Sequence, residues 1–111
     1  MFRFYHAPLS PFCRKVRLVL SEKKIDFELI EEKYWEKRSD FLVLNPAGQV
    51  PVLQTENLIL AESAAICEYI NEKYPSPELL PLDYEYRAEV RRLMFWFDDK
   101  FYREVTHKLV Y

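Results

Sequence analysis

The hydrophobic and polar positions of residues 2–30 follow the spacing of a strand, a helix and a second strand. Apolar residues concentrate at Phe2–His6 and at residues 27–30, and these short runs predict two strands. Between them, residues 11–24 carry their apolar side chains on one side, which predicts a helix. Two strands that a helix joins are expected to lie parallel in one sheet.

The pattern of residues 31–60 predicts an irregular stretch followed by a β-hairpin. Residues 31–40 are charged, and a brief helical turn is expected at residues 41–44. The turn Asn45-Pro46-Ala47-Gly48 holds the only glycine of the chain. Two apolar runs flank Thr55-Glu56-Asn57 and predict an antiparallel hairpin over residues 50–54 and 58–60.

A further helix is predicted after the hairpin, over residues 64–73, and Ser63 has the side chain of a helix N-cap. Tyr74-Pro75-Ser76-Pro77 ends this helix, because proline cannot continue one. The complete order is β-α-β, an irregular stretch and β-β-α. We therefore predict an α/β fold in which helices pack on a small mixed sheet of four strands.

Residues 84–110 form one long helical pattern without glycine or proline, and Asp83 is its expected N-cap. Its apolar residues recur at helical spacing and extend past one face: Tyr86, Val90, Leu93, Met94, Phe95, Trp96, Phe97, Phe101, Tyr102, Val105, Leu109, Val110 and Tyr111. A lone surface helix does not need so much apolar area. We expect this helix either to pack on a partner chain or to belong to a larger helical domain.

Composition and charge exclude several classes of function. The chain has 111 residues, with 16 basic against 18 acidic ones and a formal net charge of -2, so no nucleic acid is expected as a partner. No apolar run approaches the roughly 20 residues of a membrane-spanning helix, and no membrane is expected either. The scattered Cys13 and Cys67 suit a reducing cytoplasm, and the distant His6 and His107 indicate no metal site.

Ser10-Pro11-Phe12-Cys13 lies where the first strand gives way to the first helix. Ser10 can serve as N-cap, and Pro11 fits the first helical position, where its missing N–H costs nothing. The hydroxyl and the free N–H groups then lie at the positive end of the helix dipole, which suits a thiolate or another anion. The spacing is that of a Cys-x-x-Cys redox motif with Ser in place of the first Cys, so dithiol exchange is not available.

Three motifs now occur in order: Ser10 to Arg17, Asn45 to Leu53, and Glu62-Ser63-Ala64-Ala65-Ile66. Over about residues 1–80 the chain resembles the N-terminal thioredoxin-like domain of the cytosolic glutathione S-transferase superfamily, in particular its Ser-type, theta- or zeta-like bacterial members. The helix after Asp83 resembles the first helix of the all-helical C-terminal domain. The expected organisation is a glutathione-binding domain, a linker and an incomplete helical domain, over residues 1–75, 76–82 and 83–111.

The resemblance implies a binding site for glutathione. Ser10 takes the catalytic position, where its hydroxyl would donate a hydrogen bond to the glutathione sulfur and lower the pKa of that thiol. Val50-Pro51 matches a cis-proline position, which presents the Val50 backbone to the cysteinyl part of the tripeptide. Glu62 and Ser63 match the pair that holds the γ-glutamyl group, and Gln49 is expected to contact the tripeptide through its amide.

Other candidate residues have two interpretations each. Cys13 is expected to be a half-buried small residue or, alternatively, a secondary thiol that forms a mixed disulfide with glutathione. Tyr5 lies close to where Tyr-type members carry their catalytic Tyr, and it is expected in the core or beside the site. Arg14 and Lys15 either form a solvated face or attract anionic glutathione, and Cys67 is expected in the core.

The resulting hypothesis is a cytoplasmic, homodimeric glutathione transferase that conjugates the glutathione thiolate to a small electrophile, as in detoxification. The alternative is a non-catalytic regulatory protein similar to the stringent starvation proteins, since residues 79–82 and the arginines that follow are mildly similar to that group. A glutaredoxin-like reductase is disfavoured by Ser10. Because superfamily members are longer, we expect the chain to be part of a longer protein with an incomplete pocket for the electrophile.

Overall fold

Residues 1–77 fold around four strands and three helices in the computed structural model. In chain order they are β1 (Phe2–His6), α1 (Pro11–Glu22), β2 (Phe27–Glu31), α2 (Ser39–Leu44), β3 (Val52–Gln54), β4 (Ile59–Ala61) and α3 (Ser63–Lys73). A 3-10 turn, Tyr34–Glu36, lies between β2 and α2. The structure describes residues 1–110, and the contributions predicted for Tyr111 and for the side chains of Phe101, Leu109 and Val110 lie outside what it describes.

The strands form one mixed sheet in the order β2-β1-β3-β4. β1 and β2 are parallel, as predicted for two strands that α1 joins. β3 pairs antiparallel with both β1 and β4, so the predicted hairpin is also confirmed. The hairpin turn is closed by a backbone hydrogen bond of 2.7 Å, which the N–H of Thr55 donates to the carbonyl oxygen of Leu58.

Apolar side chains cover both faces of the sheet. On one face, α1 and α3 contribute to a fully buried cluster made of Phe4, Cys13, Val16, Leu20, Leu53, Ile66 and Ile70. On the other face, Tyr5 and Val52 pack with Phe41 of α2. Full burial of one large apolar side chain contributes about 1.5–3 kcal/mol, so these two clusters hold the sheet and helices together.

The structure differs from the prediction mainly at the ends of elements. β3 begins at Val52, two residues later than expected, because Val50 and Pro51 lie outside the ladder that pairs β3 with its neighbours. The turn expected at residues 41–44 is the end of a helix that begins at Ser39. Ser63, the predicted N-cap of α3, is instead its first residue, and Glu62 takes the capping position with a φ of 76°.

A second compact unit begins at Glu78. It holds α4 (Tyr84–Phe95), a π-helical segment (Trp96–Thr106) and α5 (His107–Val110), so the long helical pattern is helical throughout but not α-helical throughout. Asp83 is the N-cap, as predicted, and its Oδ1 accepts hydrogen bonds from the backbone N–H groups of Glu85 and Tyr86. The finer division of the chain at residues 75 and 82 stays a prediction.

The structure describes the helices of residues 1–110, and their length and apolar character bear on a membrane crossing. Among these residues, no helix combines the length and the apolar character that a membrane crossing requires.

Candidate glutathione site

Ser10 caps the helix that follows it, as the sequence predicts. Its backbone is extended, and its Oγ accepts a hydrogen bond of 3.2 Å from the N–H of Cys13, while Pro11 occupies the first helical position. The Ser10 N–H donates to the carbonyl oxygen of Ala7, which closes the loop that leads from β1. Only 5% of the Ser10 surface is exposed, so this hydroxyl is fixed at the positive end of the α1 dipole.

Cys13 lies beneath Ser10 and is completely buried. Burial raises the pKa of its thiol, and hydrogen bonding from the Ser10 side chain and from the Ala7 backbone opposes that rise only in part. A neutral, inaccessible thiol is a poor nucleophile. The structure therefore favours the interpretation of Cys13 as a packed small residue over that of a secondary thiol.

The segment before β3 carries the second set of candidate residues. The Val50-Pro51 peptide bond is cis, as the family resemblance implies. Pro51 is buried, Gln49 is exposed, and the side-chain Nδ2 of Asn45 donates a hydrogen bond of 2.8 Å to the Gln49 carbonyl oxygen. No described residue forms a backbone hydrogen bond with Val50, so its N–H and C=O remain available to a ligand.

Glu62 and Ser63 form the third part of the site, at the start of α3. Glu62 has a positive φ of 76°, a conformation that costs energy for any residue other than glycine and is typical of functional sites. Its carbonyl oxygen accepts from the N–H of Ile66, which starts the helix one residue earlier than predicted. The Glu62 side chain is exposed, whereas Ser63 is buried among the first N–H groups of α3.

The sheet register brings these three segments to one edge. Tyr5 of β1 pairs with Val52 of β3, and Val52 pairs with Ala61 of β4. The end of β1, the start of β3 and the end of β4 therefore lie side by side. Ser10, the residues before Val52 and the residues after Ala61 all leave the sheet at this edge, which we call the site edge.

Two buried polar contacts near the site edge were not anticipated from the sequence. His6, the last residue of β1, has its Nδ1 3.1 Å from Nη1 of Arg17 on α1. Burial lowers the pKa of His6, the Arg17 charge lowers it further, and Glu31 opposes both effects. The buried Glu32 carboxylate accepts from Arg38, 2.8 Å away, and this pair closes the loop between β2 and α2.

The remaining candidates occupy structural positions. Tyr5 is buried, and its hydroxyl donates to Oε1 of Gln54 at 3.2 Å, on the face of the sheet that packs against α2. Cys67 is buried in the core cluster, as expected, and Arg14 is exposed. Within the described part of the chain, no three His, Cys, Asp or Glu side chains cluster as a metal site would require.

The four-stranded sheet with its flanking helices is the thioredoxin-like fold, and the N-termini of α1 and α3 both lie at the site edge. A family model described as the N-terminal domain of glutathione S-transferase matches residues 4–78. The chain therefore belongs to the glutathione S-transferase family, as the sequence motifs predicted.

The named relatives include glutathione S-transferases and proteins whose names describe other roles. FtsZ-localized protein A of Caulobacter vibrioides is 44% identical over 96% of this chain and 49% of its own length. Glutathione S-transferase 3 of Zea mays is 40% identical over 86% of this chain and 44% of its own. A stringent starvation protein A homolog of Coxiella burnetii is 34% identical over 91% of this chain and 48% of its own length. The chain thus spans slightly less than half the length of these relatives.

Solved structures agree with this assignment. A glutathione S-transferase from Rhodospirillum rubrum superposes on this chain with a TM-score of 0.95 at 51% identity. The superposition covers 99% of this chain and 50% of the Rhodospirillum rubrum chain. A glutathione S-transferase from Methylobacterium radiotolerans, solved in complex with glutathione sulfonate, has a TM-score of 0.77 at 36% identity, over 82% of this chain and 43% of that one.

Proposed function

We propose that the site edge binds glutathione and that the chain is the glutathione-binding part of a glutathione S-transferase. The observation that carries this proposal is the buried Ser10 hydroxyl, which caps α1 at 3.2 Å from the Cys13 N–H. A hydroxyl that is fixed at a helix N-terminus is a donor for an anionic sulfur. The relatives that bear the name glutathione S-transferase, and the homologue that holds glutathione sulfonate, support the same ligand class.

Each part of the tripeptide has a matching partner at the site edge. The Val50 backbone, which forms no hydrogen bond with the described residues, would pair with the cysteinyl residue as an added strand does. The Glu62 carboxylate would accept from the γ-glutamyl ammonium, while the Ser63 hydroxyl and the first N–H groups of α3 would hold its carboxylate. The exposed Gln49 side chain would reach the tripeptide with its amide.

Ser10 would act on the thiol rather than attack the substrate. Its hydroxyl hydrogen can rotate, and a thiolate is a stronger acceptor than the neutral Cys13 thiol below it. The thiol proton passes to solvent, and the thiolate then forms a carbon–sulfur bond with the electrophile, whose leaving group departs with its bonding electrons. The protein forms no covalent bond in this reaction.

The thiol pKa of bound glutathione tests this role. In the wild-type chain we expect that pKa below about 7.5, as for thiols at helix N-termini, measured by the ultraviolet absorbance of the thiolate. Ser10→Ala should return it toward the ordinary value of about 8.5. Ser21→Ala removes an exposed hydroxyl from the last turn of the same helix and should change nothing.

Calorimetric titration with glutathione accompanies this measurement, with circular dichroism as the check that Ser10→Ala still folds. A folded wild-type chain that does not bind glutathione would overturn the proposal. Binding with the same thiol pKa in the wild type and in Ser10→Ala would retain glutathione as the ligand but remove Ser10 from the chemistry.

A non-catalytic interaction protein is the second candidate. It is favoured by the names of two relatives, FtsZ-localized protein A and the stringent starvation protein A homolog, which refer to FtsZ localisation and to stringent starvation rather than to transfer. A conjugation assay with glutathione and an activated chloroarene distinguishes the two candidates. Conjugate formation above the uncatalysed rate supports the transferase, whereas glutathione binding without any such increase favours the second candidate.

We further place the protein in the cytoplasm as a homodimer. Neither Cys13 nor Cys67 forms a disulfide, and both are buried, which suits a reducing compartment. The second unit exposes large aromatic side chains, and Tyr86 and Phe95 are 70% and 68% exposed. Such an apolar surface favours self-association, so light scattering should give twice the mass of the chain at high concentration. A monomer over the whole concentration range would contradict the dimer.

A further inference from the structure

Asn45 is a buried polar residue that none of the roles above includes. It directly follows α2, where its backbone N–H donates to the carbonyl oxygen of Phe41 at 2.9 Å. Only 8% of its surface is exposed, so its amide needs partners within the protein. Nδ2 donates to the Gln49 carbonyl oxygen at 2.8 Å, and Oδ1 accepts from the Ala47 N–H at 3.3 Å.

Asn45 also supports the middle of the turn that leads to Val50. Its carbonyl oxygen accepts from the N–H of Gly48 at 2.9 Å. Gly48 has a φ of 68°, and a Cβ at this position would lie 3.2 Å from a methyl group of Leu42. Glycine is therefore the residue that fits here, and the turn closes tightly around the Asn45 side chain.

The contact with Gln49 has a consequence for the next residue. The Gln49–Val50 peptide is trans and planar, so its C=O and N–H point in opposite directions. Since Asn45 holds the Gln49 carbonyl toward the buried interior of the turn, the Val50 N–H is turned the other way. No described residue accepts a hydrogen bond from that N–H.

We propose that Asn45 is a positioning residue for glutathione, which orients the Val50 N–H as a donor to the cysteinyl carbonyl of the tripeptide. This inference rests on the proposed function. Asparagine has the required chemistry, because it donates to one backbone carbonyl and accepts from one backbone N–H at the same time. Aspartate lacks the donor, and serine is too short to reach Gln49 while it accepts from Ala47.

Two variants and a matched control test the inference by calorimetric titration with glutathione. Asn45→Asp replaces the donor by a carboxylate that faces the Gln49 carbonyl, and Asn45→Ser replaces the amide by a shorter hydroxyl without introducing charge. We expect glutathione to bind about tenfold more weakly to each, as for a lost hydrogen bond that also orients its neighbour. Asn57→Asp makes the same charge change in the exposed hairpin turn and should bind as the wild type does.

Amide NMR shifts separate positioning from a general loss of structure. In the wild type, glutathione should shift the amide signals of both Val50 and Ser63. In Asn45→Ser at saturating glutathione, we expect Val50 to lose most of its shift while Ser63 retains its own. Variants that keep the wild-type affinity and the Val50 shift overturn the inference, as does an equal loss at Val50 and Ser63. A folded wild type without any shift rejects the proposed function instead.

Discussion

The two units of the chain differ in how far they bury their apolar side chains. In the first unit, residues 1–77, large side chains such as Phe4 and Leu20 are completely buried by the sheet and its helices. In the second unit, which begins at Glu78, no residue of α4 is buried, and Phe95 and Phe97 are more than half exposed. Apolar residues recur at helical spacing in both units, but only the first unit buries most of them.

The difference shows what a hydrophobic pattern establishes by itself. It predicts a helix wherever apolar residues recur every three or four positions, because that periodicity is local. It does not tell which surface covers the apolar face, because the covering residues are distant in sequence or belong to another molecule. For the second unit, local interactions such as the Asp83 cap and the pair of Lys100 with Glu104 hold the helix.

The largest expected effect is the loss of stability when a buried phenylalanine ring is removed, compared with the removal of an exposed one. Phe4 is completely buried against Phe27 and the helices, and Phe4→Ala should destabilise the protein by about 3–5 kcal/mol. Phe97 is 53% exposed, and Phe97→Ala should change the free energy of unfolding by about 0.5 kcal/mol or less. Urea denaturation at low protein concentration, followed by circular dichroism, measures both.

An equal cost for the two variants would remove the contrast between the units. It would mean that Phe97 is covered in solution as completely as Phe4. Repeating the titration at high protein concentration then tells whether a second copy provides the cover, because a dimer interface makes the unfolding midpoint depend on concentration.

The sequence predicted the parallel pair of β1 and β2 and the antiparallel hairpin of β3 and β4, because alternating strand and helix signals allow few topologies. It did not predict that β3 pairs with β1. It also predicted the Ser10 cap, since capping depends on side chains within three residues of each other. It was wrong about the start of α3, where Glu62 takes a left-handed conformation that its residue type does not favour. Such a conformation is imposed by the surrounding fold rather than by local preference.

The contacts around the site edge were less accessible from the sequence. Asn45 belongs to a recognised turn motif, but its contact with Gln49 depends on how the turn closes. His6 and Arg17 are eleven positions apart and meet only because α1 packs on β1. The sequence signal for the contact of His6 with Arg17 is a polar residue at the buried end of a strand, since such a residue needs a hydrogen-bond partner.

The two units are also expected to differ in how their histidines make stability depend on pH. Burial and the Arg17 charge lower the pKa of His6 below its ordinary value of 6.5, so the folded protein resists protonation that the unfolded chain accepts. Stability should therefore be complete above pH 6.5 and should fall as the pH drops from there toward the pKa of the folded state. His6→Asn keeps an acceptor for Arg17 without a titrating ring, and it should remove this step from the unfolding free energy.

His107→Asn is the matched control, because it removes the exposed histidine of the second unit and leaves His6 in place. Its stability profile should keep the step below pH 6.5, measured by urea denaturation at a series of pH values. A step that disappears with His107 and persists without His6 would assign the acid sensitivity to the second unit. The contact between His6 and Arg17 would then have no influence on acid stability.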